Sequence, residues 1–228
     1  MSRLKDKFTV GSNVVCADDT DLRGEISIGS GTVIHPKATI VATQGPIVIG
    51  SGCIIEEAAT IINRQRTVMR IGDNNLFEVA CRIESPRIGS YNTFEARSRT
   101  AQTVSIGSYC TIGAGCFLTP SAFAGLPDGD LQKALANSEN TSEFPVMSSE
   151  PAVPTDRASS PSTPITVVET LEDMTVVYGA EAKRRMWSGH GIKQAKALHA
   201  KHLEYLRDTL PRHIDLINWD EEEDEEDE

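Results

Sequence analysis

An aliphatic side chain returns every six residues through the first half of this chain. Val10, Cys16 and Leu22 open the series, followed by Ile28, Ile34, Ile40, then Ile49, Ile55, Ile61, then Ile71, Phe77, Ile83. Ile88, Phe94, Thr100 and Ile106, Ile112, Leu118 complete it. Glycine follows the first member of each trio at Gly11, Gly29, Gly50, Gly72, Gly89 and Gly107, and Gly113 adds another. A period of six fits no amphipathic helix; it fits three short strands that close one triangular coil of about eighteen residues. Coils then stack as parallel strands about 4.8 Å apart, with each aliphatic side chain pointing inward onto its equivalent in the next coil.

Four residues after the aliphatic position the side chain is small: Thr32, Ala38, Cys53, Ala59, Cys81, Ser98, Cys110, Cys116. These belong at corners. Asn13, Gly31, Gly52, Asn74 and Gly115 sit where a corner calls for positive φ, which Gly and Asn tolerate. Tyr91 and Tyr109 occupy the same place with no such rationale. The low aromatic share of 5% suits a core of aliphatic side chains of similar size.

The register breaks three times. Short corner loops are expected at 43–46 and 63–67. A segment rich in Ser, Pro, Ala and acidic residues, 119–164, lacks periodicity and reads as a disordered loop. Register returns at Leu171 and Val177. Leu203, Leu206 and Leu210 then fall at helical spacing, with Pro211 ending the pattern. The sequence thus predicts an all-β solenoid, a parallel β-helix of about seven triangular coils with a C-terminal α-helix. Coils fill 8–118, the loop 119–164, a final coil and junction 165–190, the helix 191–216, and an acidic tail 217–228. The helix is expected to cover the coils, since open strand edges invite association.

The net charge of −11 is concentrated in nine consecutive acidic residues, Asp220 to Glu228, so the rest of the chain is nearly neutral. That balance argues against nucleic acid. No stretch approaches the ~20 apolar residues of a membrane span, and residues 1–10 lack a signal-peptide pattern. Five cysteines without Cys-x-x-Cys spacing read as buried packing residues in a reducing compartment.

Enzymatic readings are tested on histidines and carboxylates. Arg23-Gly24-Glu25 before Ile28-Gly29 resembles the carbonic-anhydrase branch of hexapeptide-repeat proteins, which implies three zinc-binding histidines on the coils. Only His35 lies there; His190, His199, His202 and His213 are C-terminal. His199 and His202, at i and i+3, read as a polar helix face rather than a metal pair. His35 is a formal general base for an acyltransferase, but no carboxylate is placed beside it by spacing. Adjacent Glu56 and Glu57 make a poor acid–base pair, since neighbours on a strand point to opposite faces. No catalytic, cofactor or metal residues are assigned.

The stretch from Leu22 onward carries TVIHPKA, GPIVIG and IIEEAATIIN, and Ile71 to Val79 reads IGDNNLFEV. Val176 to Arg185 reads VVYGAEAKRR, and Leu203 to Leu216 reads LEYLRDTLPRHIDL. These motifs closely resemble the dynactin subunit 6 family of hexapeptide-repeat β-helices, over nearly the whole chain except the loop and the tail. The resemblance implies left-handed coiling, an exception to the right-handed crossovers found in about 98% of parallel connections. It also implies a non-catalytic scaffold of the dynactin pointed-end complex. Its partners would be dynactin subunit 5 (a second β-helix), the pointed-end actin-related protein and dynactin subunit 4, and indirectly dynein and cargo adaptors. Its place would be the cytoplasm and cytoskeleton, in microtubule-based transport. A divergent hexapeptide-repeat enzyme is the alternative. Tyr178, Arg184 and Arg185 lie in a family-matching segment where coil passes to helix, and either close that junction or touch a partner. In the loop, Ser160 and Thr163 each follow a serine and precede a proline, a proline-directed phosphorylation pattern that would add charge and strong acceptors.

Overall fold

A computed structural model of the 228-residue chain describes residues 6–121 and 169–219. The loop reading beyond residue 121, with Ser160 and Thr163, and the acidic run from 220 lie outside the described residues.

Strands fall into three sheets, one per side of a prism. Sheet A stacks β1 (Lys7–Val10), β4 (Glu25–Ile28), β7 (Ile47–Ile49), β10 (Met69–Ile71), β13 (Arg87–Ile88), β16 (Val104–Ile106) and β19 (Glu169–Leu171). Sheet B stacks β2 (Val15–Cys16), β5 (Val33–Ile34), β8 (Ile54–Ile55), β11 (Leu76–Phe77), β14 (Thr93–Phe94), β17 (Thr111–Ile112) and β20 (Thr175–Tyr178), and ends on β21 (Lys183–Met186). Sheet C stacks β3 (Asp21–Arg23), β6 (Thr39–Ala42), β9 (Thr60–Asn63), β12 (Arg82–Ile83), β15 (Arg99–Thr100) and β18 (Phe117–Leu118). All pairs are parallel except β20–β21. The expected parallel β-helix is present. Its coil count differs slightly: β1 to β18 make six complete turns, and the seventh stops after two strands because β21 folds back antiparallel instead of crossing to sheet C.

The inward columns are the six-residue series. Cys16, Ile34, Ile55, Phe77, Phe94, Ile112 and Val177 form one buried stack. Within it Phe77 and Phe94 lie ring on ring, centroids 4.9 Å apart and 5° from parallel. The glycine after each trio's first member is required by close approach rather than by φ. A Cβ on Gly89 would stand 2.6 Å from the Gly107 carbonyl oxygen, and one on Gly50 2.6 Å from that of Gly72. Backbone crosses backbone at this edge, so only hydrogen fits.

Positive φ occurs one corner position later. Asn13, Gly31, Gly52, Asn74, Tyr91, Tyr109 and Met174 all adopt it, with φ between 55° and 69°. From Gly31 onward their amides donate to the preceding coil, as from Asn74 to Ser51 O at 2.8 Å and from Tyr91 to Asp73 O at 2.9 Å. A second column at the B–C corner does the same with Lys37, Ala58, Ala80, Arg97 and Gly115. Four of those five are not glycine, so the sequence does not flag them. Above this column Glu56, Glu78 and Glu95 each accept a backbone N–H from the next coil, at Val79, Ala96 and Ala114, over 3.2, 3.0 and 2.8 Å. These bonds hold the left-handed turns that would otherwise cost about 1–2 kcal/mol per residue.

After β21 the chain passes Gly189 and Gly191, both at positive φ, into α1 (Ile192–Thr209) and a 3-10 turn at Leu210–Arg212 containing Pro211. Leu203 and Leu206 bury against Val15, Val33 and Ile54, the outward residues of sheet B. The helical reading over 191–216 runs too long and the acidic-tail reading from 217 starts too early. Residues 214–219 return to the first coil: Leu216 bridges Ala17, Ile217 N donates to Cys16 O at 3.0 Å, and Trp219 meets Phe8 edge-on at 6.1 Å. Apolar Ile217 and Trp219 thus cover the open end of the stack, which their short distance from the acidic run disguises.

The glycine column yields a stability test. Gly89→Ala should cost about 1–3 kcal/mol by overpacking against fixed backbone. Gly115→Ala, whose Cβ meets nothing within 4 Å, should cost only its φ strain of about 1–2 kcal/mol. Urea unfolding of the two variants measures the difference.

Candidate interaction sites and relatives

The three residues singled out at the coil–helix junction split into two roles. Arg184 is in register with Val177, whose side chain enters the core, so the guanidinium lies over the end of the stack. There it pairs with Glu169 of sheet A and donates to Thr119 O, just past sheet C, at 2.8 Å. One side chain therefore ties all three sheets at the last coil. Arg185 points the other way and lies over the Tyr178 ring, 5.6 Å from its centroid. Tyr178 is 44% exposed, whereas Met186, in register with inward Thr175, shares the face of Arg184. The junction therefore presents an aromatic and cationic outer edge over an internally locked arginine.

Along sheet B, α1 runs back toward the first coil. Arg207 Nε donates to Gly31 O at 3.0 Å, and a Cβ on Gly31 would collide with that guanidinium. His199 Nε2 donates to Gly52 O at 2.8 Å. Further up the helix lifts away. Tyr91 and Tyr109 fill part of the gap, stacked at 5.3 Å and 1° from parallel, with Lys196 Nζ 4.3 Å from the Tyr91 centroid. The hydrogen bond to the Tyr109 side chain favours the charged ammonium and raises the Lys196 pKa. An open groove of about 430 Å³ remains between Val176, Trp187 and Lys196. The tyrosine pair is a feature that sequence reading located without explaining; the signal was two aromatics at a glycine position eighteen residues apart.

The groups weighed for catalysis are placed as follows. His35 lies beside His202 of α1 and near Glu57, with its Nε2 buried and meeting no hydrogen-bond partner. Burial lowers its pKa, and His202 adds to the effect. Glu56 and Glu57 take separate tasks: Glu56 bonds Val79 N and Glu57 pairs with Lys37 at 3.3 Å. Burial raises the Glu56 pKa, with Glu78 one coil away adding to it. All five cysteines are buried. Burial pushes the thiols of Cys53 and Cys81 up to about 12 and those of Cys16 and Cys110 up to about 11, away from thiolate chemistry. Among the described residues no three His, Cys, Asp or Glu side chains converge as a metal site.

Burial also lowers the His199 pKa. As pH falls through about 6.5 the unfolded chain takes up protons that native His35 and His199 resist. The stability they allow is therefore complete above that pH and is lost below it, toward their folded pKa values. The melting temperature should fall between about pH 7 and pH 5, and His35→Gln should flatten the decline. Melting curves across that range check both.

No family model matches the chain. A sea anemone (Nematostella vectensis) dynactin subunit 6 is 42% identical over 124 residues, which is 50% of this chain and 67% of that protein. A zebrafish (Danio rerio) dynactin subunit 6 is 42% identical over 122 residues, covering 48% and 62% respectively. The matches thus span about two thirds of those relatives. Among solved structures, a hexapeptide transferase family protein from Anaplasma phagocytophilum superposes with a TM-score of 0.60 at 13% identity, covering 90% of this chain and 93% of that one. At that identity the likeness establishes the fold alone, the hexapeptide-repeat left-handed β-helix. The sequence identity to the animal proteins establishes the lineage: the chain belongs to the dynactin subunit 6 family.

Proposed function

We propose that this chain is a non-catalytic structural subunit of the dynactin pointed-end complex. In that role it docks against a second β-helix, dynactin subunit 5, and contributes to a platform with the actin-related protein and dynactin subunit 4 that serves dynein-driven transport in the cytoplasm. The observation that carries this reading is the 42% identity to dynactin subunit 6 relatives. The geometry supports it. A prism with stacked, fully hydrogen-bonded strands loses little entropy when it docks. Tyr178 and Arg185 give its last coil an outward aromatic and cationic edge, while Arg184 holds that edge in place from within. No helix among the described residues is long and apolar enough to cross a membrane. For the loop, phosphorylation of Ser160 or Thr163 would create a recruitment site for a phosphopeptide-reading domain.

Tagged chain purified from its native cells should bring down a second β-helix subunit, an actin-related protein and dynein components. Tyr178→Ala with Arg185→Ser should reduce that recovery about tenfold or more, the scale of a lost interface hot spot, without changing the melting temperature by more than a few degrees. Recovery of the chain alone, with stoichiometric zinc or acyl-transfer activity, would replace the scaffold reading with the hexapeptide-enzyme one.

A further inference from the structure

The corner between sheets C and A carries a cluster of arginines that the fold does not neutralise. Arg70 and Arg87 are exposed and stand in register on neighbouring strands of sheet A. Arg82 and Arg99 stand in register on sheet C. Arg64 and Arg66 lie in the corner segment that joins these two sheets. Glu84 is the carboxylate that answers them, pairing with Arg82 at 2.7 Å and with Arg64 at 3.6 Å. Arg99 lies over the Phe117 ring, 5.7 Å from its centroid. Among the described residues no carboxylate pairs with Arg66, Arg70 or Arg87.

Like charges directly opposite each other on paired strands destabilise a sheet. Two such pairs flank one edge of this prism, although uncharged residues serve at equivalent positions elsewhere: Thr9, Ser27 and Val48 on sheet A, Thr39 and Thr60 on sheet C. The coil does not need arginine there. The chain is also acidic as a whole, so this edge is a local positive field against a negative background. An acidic segment that reaches this edge meets the local field within the ~8 Å over which physiological salt leaves charges uncancelled. Guanidinium groups repeated at the strand spacing of about 4.8 Å can each fork onto a carboxylate.

We infer that the Arg66–Arg70–Arg87 edge is a docking surface for an extended acidic segment of a protein partner. The inference rests on charge and register and does not depend on which complex the chain joins.

The probe is a fluorescent nonapeptide with the acidic sequence of residues 220–228, titrated by anisotropy at low and then physiological ionic strength. It is added to the full chain and to a variant ending at Trp219, which keeps every described residue. Binding to either form, weakened about tenfold or more by Arg70→Ser with Arg87→Ser and weakened by salt, supports the site. Arg23→Ser with Lys37→Ser removes two cations already paired with Asp21 and Glu57 and should leave affinity within about twofold. Equal loss in both double variants, or no binding to either form, overturns the inference. So does tighter binding of a nine-residue uridine oligonucleotide, which would make the surface a nucleic-acid site. The arginine double variant should melt at or above the temperature of the parent chain, because repulsion is relieved; a lower melting temperature would make these arginines structural and end the proposal.

Discussion

Strand residues of the coils meet their own equivalents one coil away, at the parallel-strand spacing of about 4.8 Å. This repeat in space governs what each position can hold. A side chain that stacks well on itself is repeated, and one that does not must be relieved by something outside the column. Isoleucine on isoleucine and Phe77 on Phe94 satisfy the rule in the core. Glycine satisfies it where backbones cross. Glutamate violates it at Glu56, Glu78 and Glu95, where three carboxylates rise one above another. Each is relieved by the backbone N–H it accepts from the next coil. Burial and the neighbouring Glu78 still leave Glu56 easier to protonate than a free carboxyl. Arg70 and Arg87 violate the rule without such relief.

The helix imposes a second spacing on the first. Its eighteen residues extend about 27 Å at 1.5 Å each, between five and six coil spacings, so one helical turn passes roughly one coil. Where it touches sheet B, the outward residues are Val15, Val33, Ile54 and Leu76, and the corner residues are Gly31 and Gly52. Where it lifts away, the outward residues become Thr93 and Thr111 and the corners become Tyr91 and Tyr109. The composition of the corner column therefore records two constraints. Positive φ selects Gly or Asn, and the distance to the helix decides whether a larger side chain is excluded or needed. A tyrosine at φ 59° is strained. Packing between ring, ring and Lys196 supplies the compensation.

This is why part of the structure was legible in the sequence and part was not. The six-residue series names the inward columns, because inward packing depends only on a residue and its equivalents along the repeat. Positive φ at Asn13, Gly31, Gly52, Asn74 and Gly115 was legible from residue type. Positive φ at Lys37, Ala58, Ala80 and Arg97 was not, because the glutamate ladder and the preceding coil hold those turns, and both are contacts between residues about twenty apart. Arg184 shows the same limit at the junction. Its neighbours in sequence mark a helix approach, but its partners, Glu169 and Thr119, belong to two different sheets. Ile217 and Trp219 are hidden for a simpler reason: the apolar end cap runs directly into the acidic segment, and composition averages the two.

Handedness of purpose follows from which faces the chain leaves to others. Sheet B is covered by its own helix, and the first coil is closed by residues 214–219. The last coil is held by Arg184, and its outward edge is Tyr178 and Arg185. The corner between sheets A and C gathers arginines. Cys53, Cys81 and Cys110 stay protonated because burial holds them so. His35 is buried beside a second histidine that further disfavours its charge. The reactive residue types in this prism are spent on packing and on turning corners. Among the described residues, Tyr178 and Arg185 stand exposed on the last-coil edge, and Arg70 and Arg87 at the arginine corner.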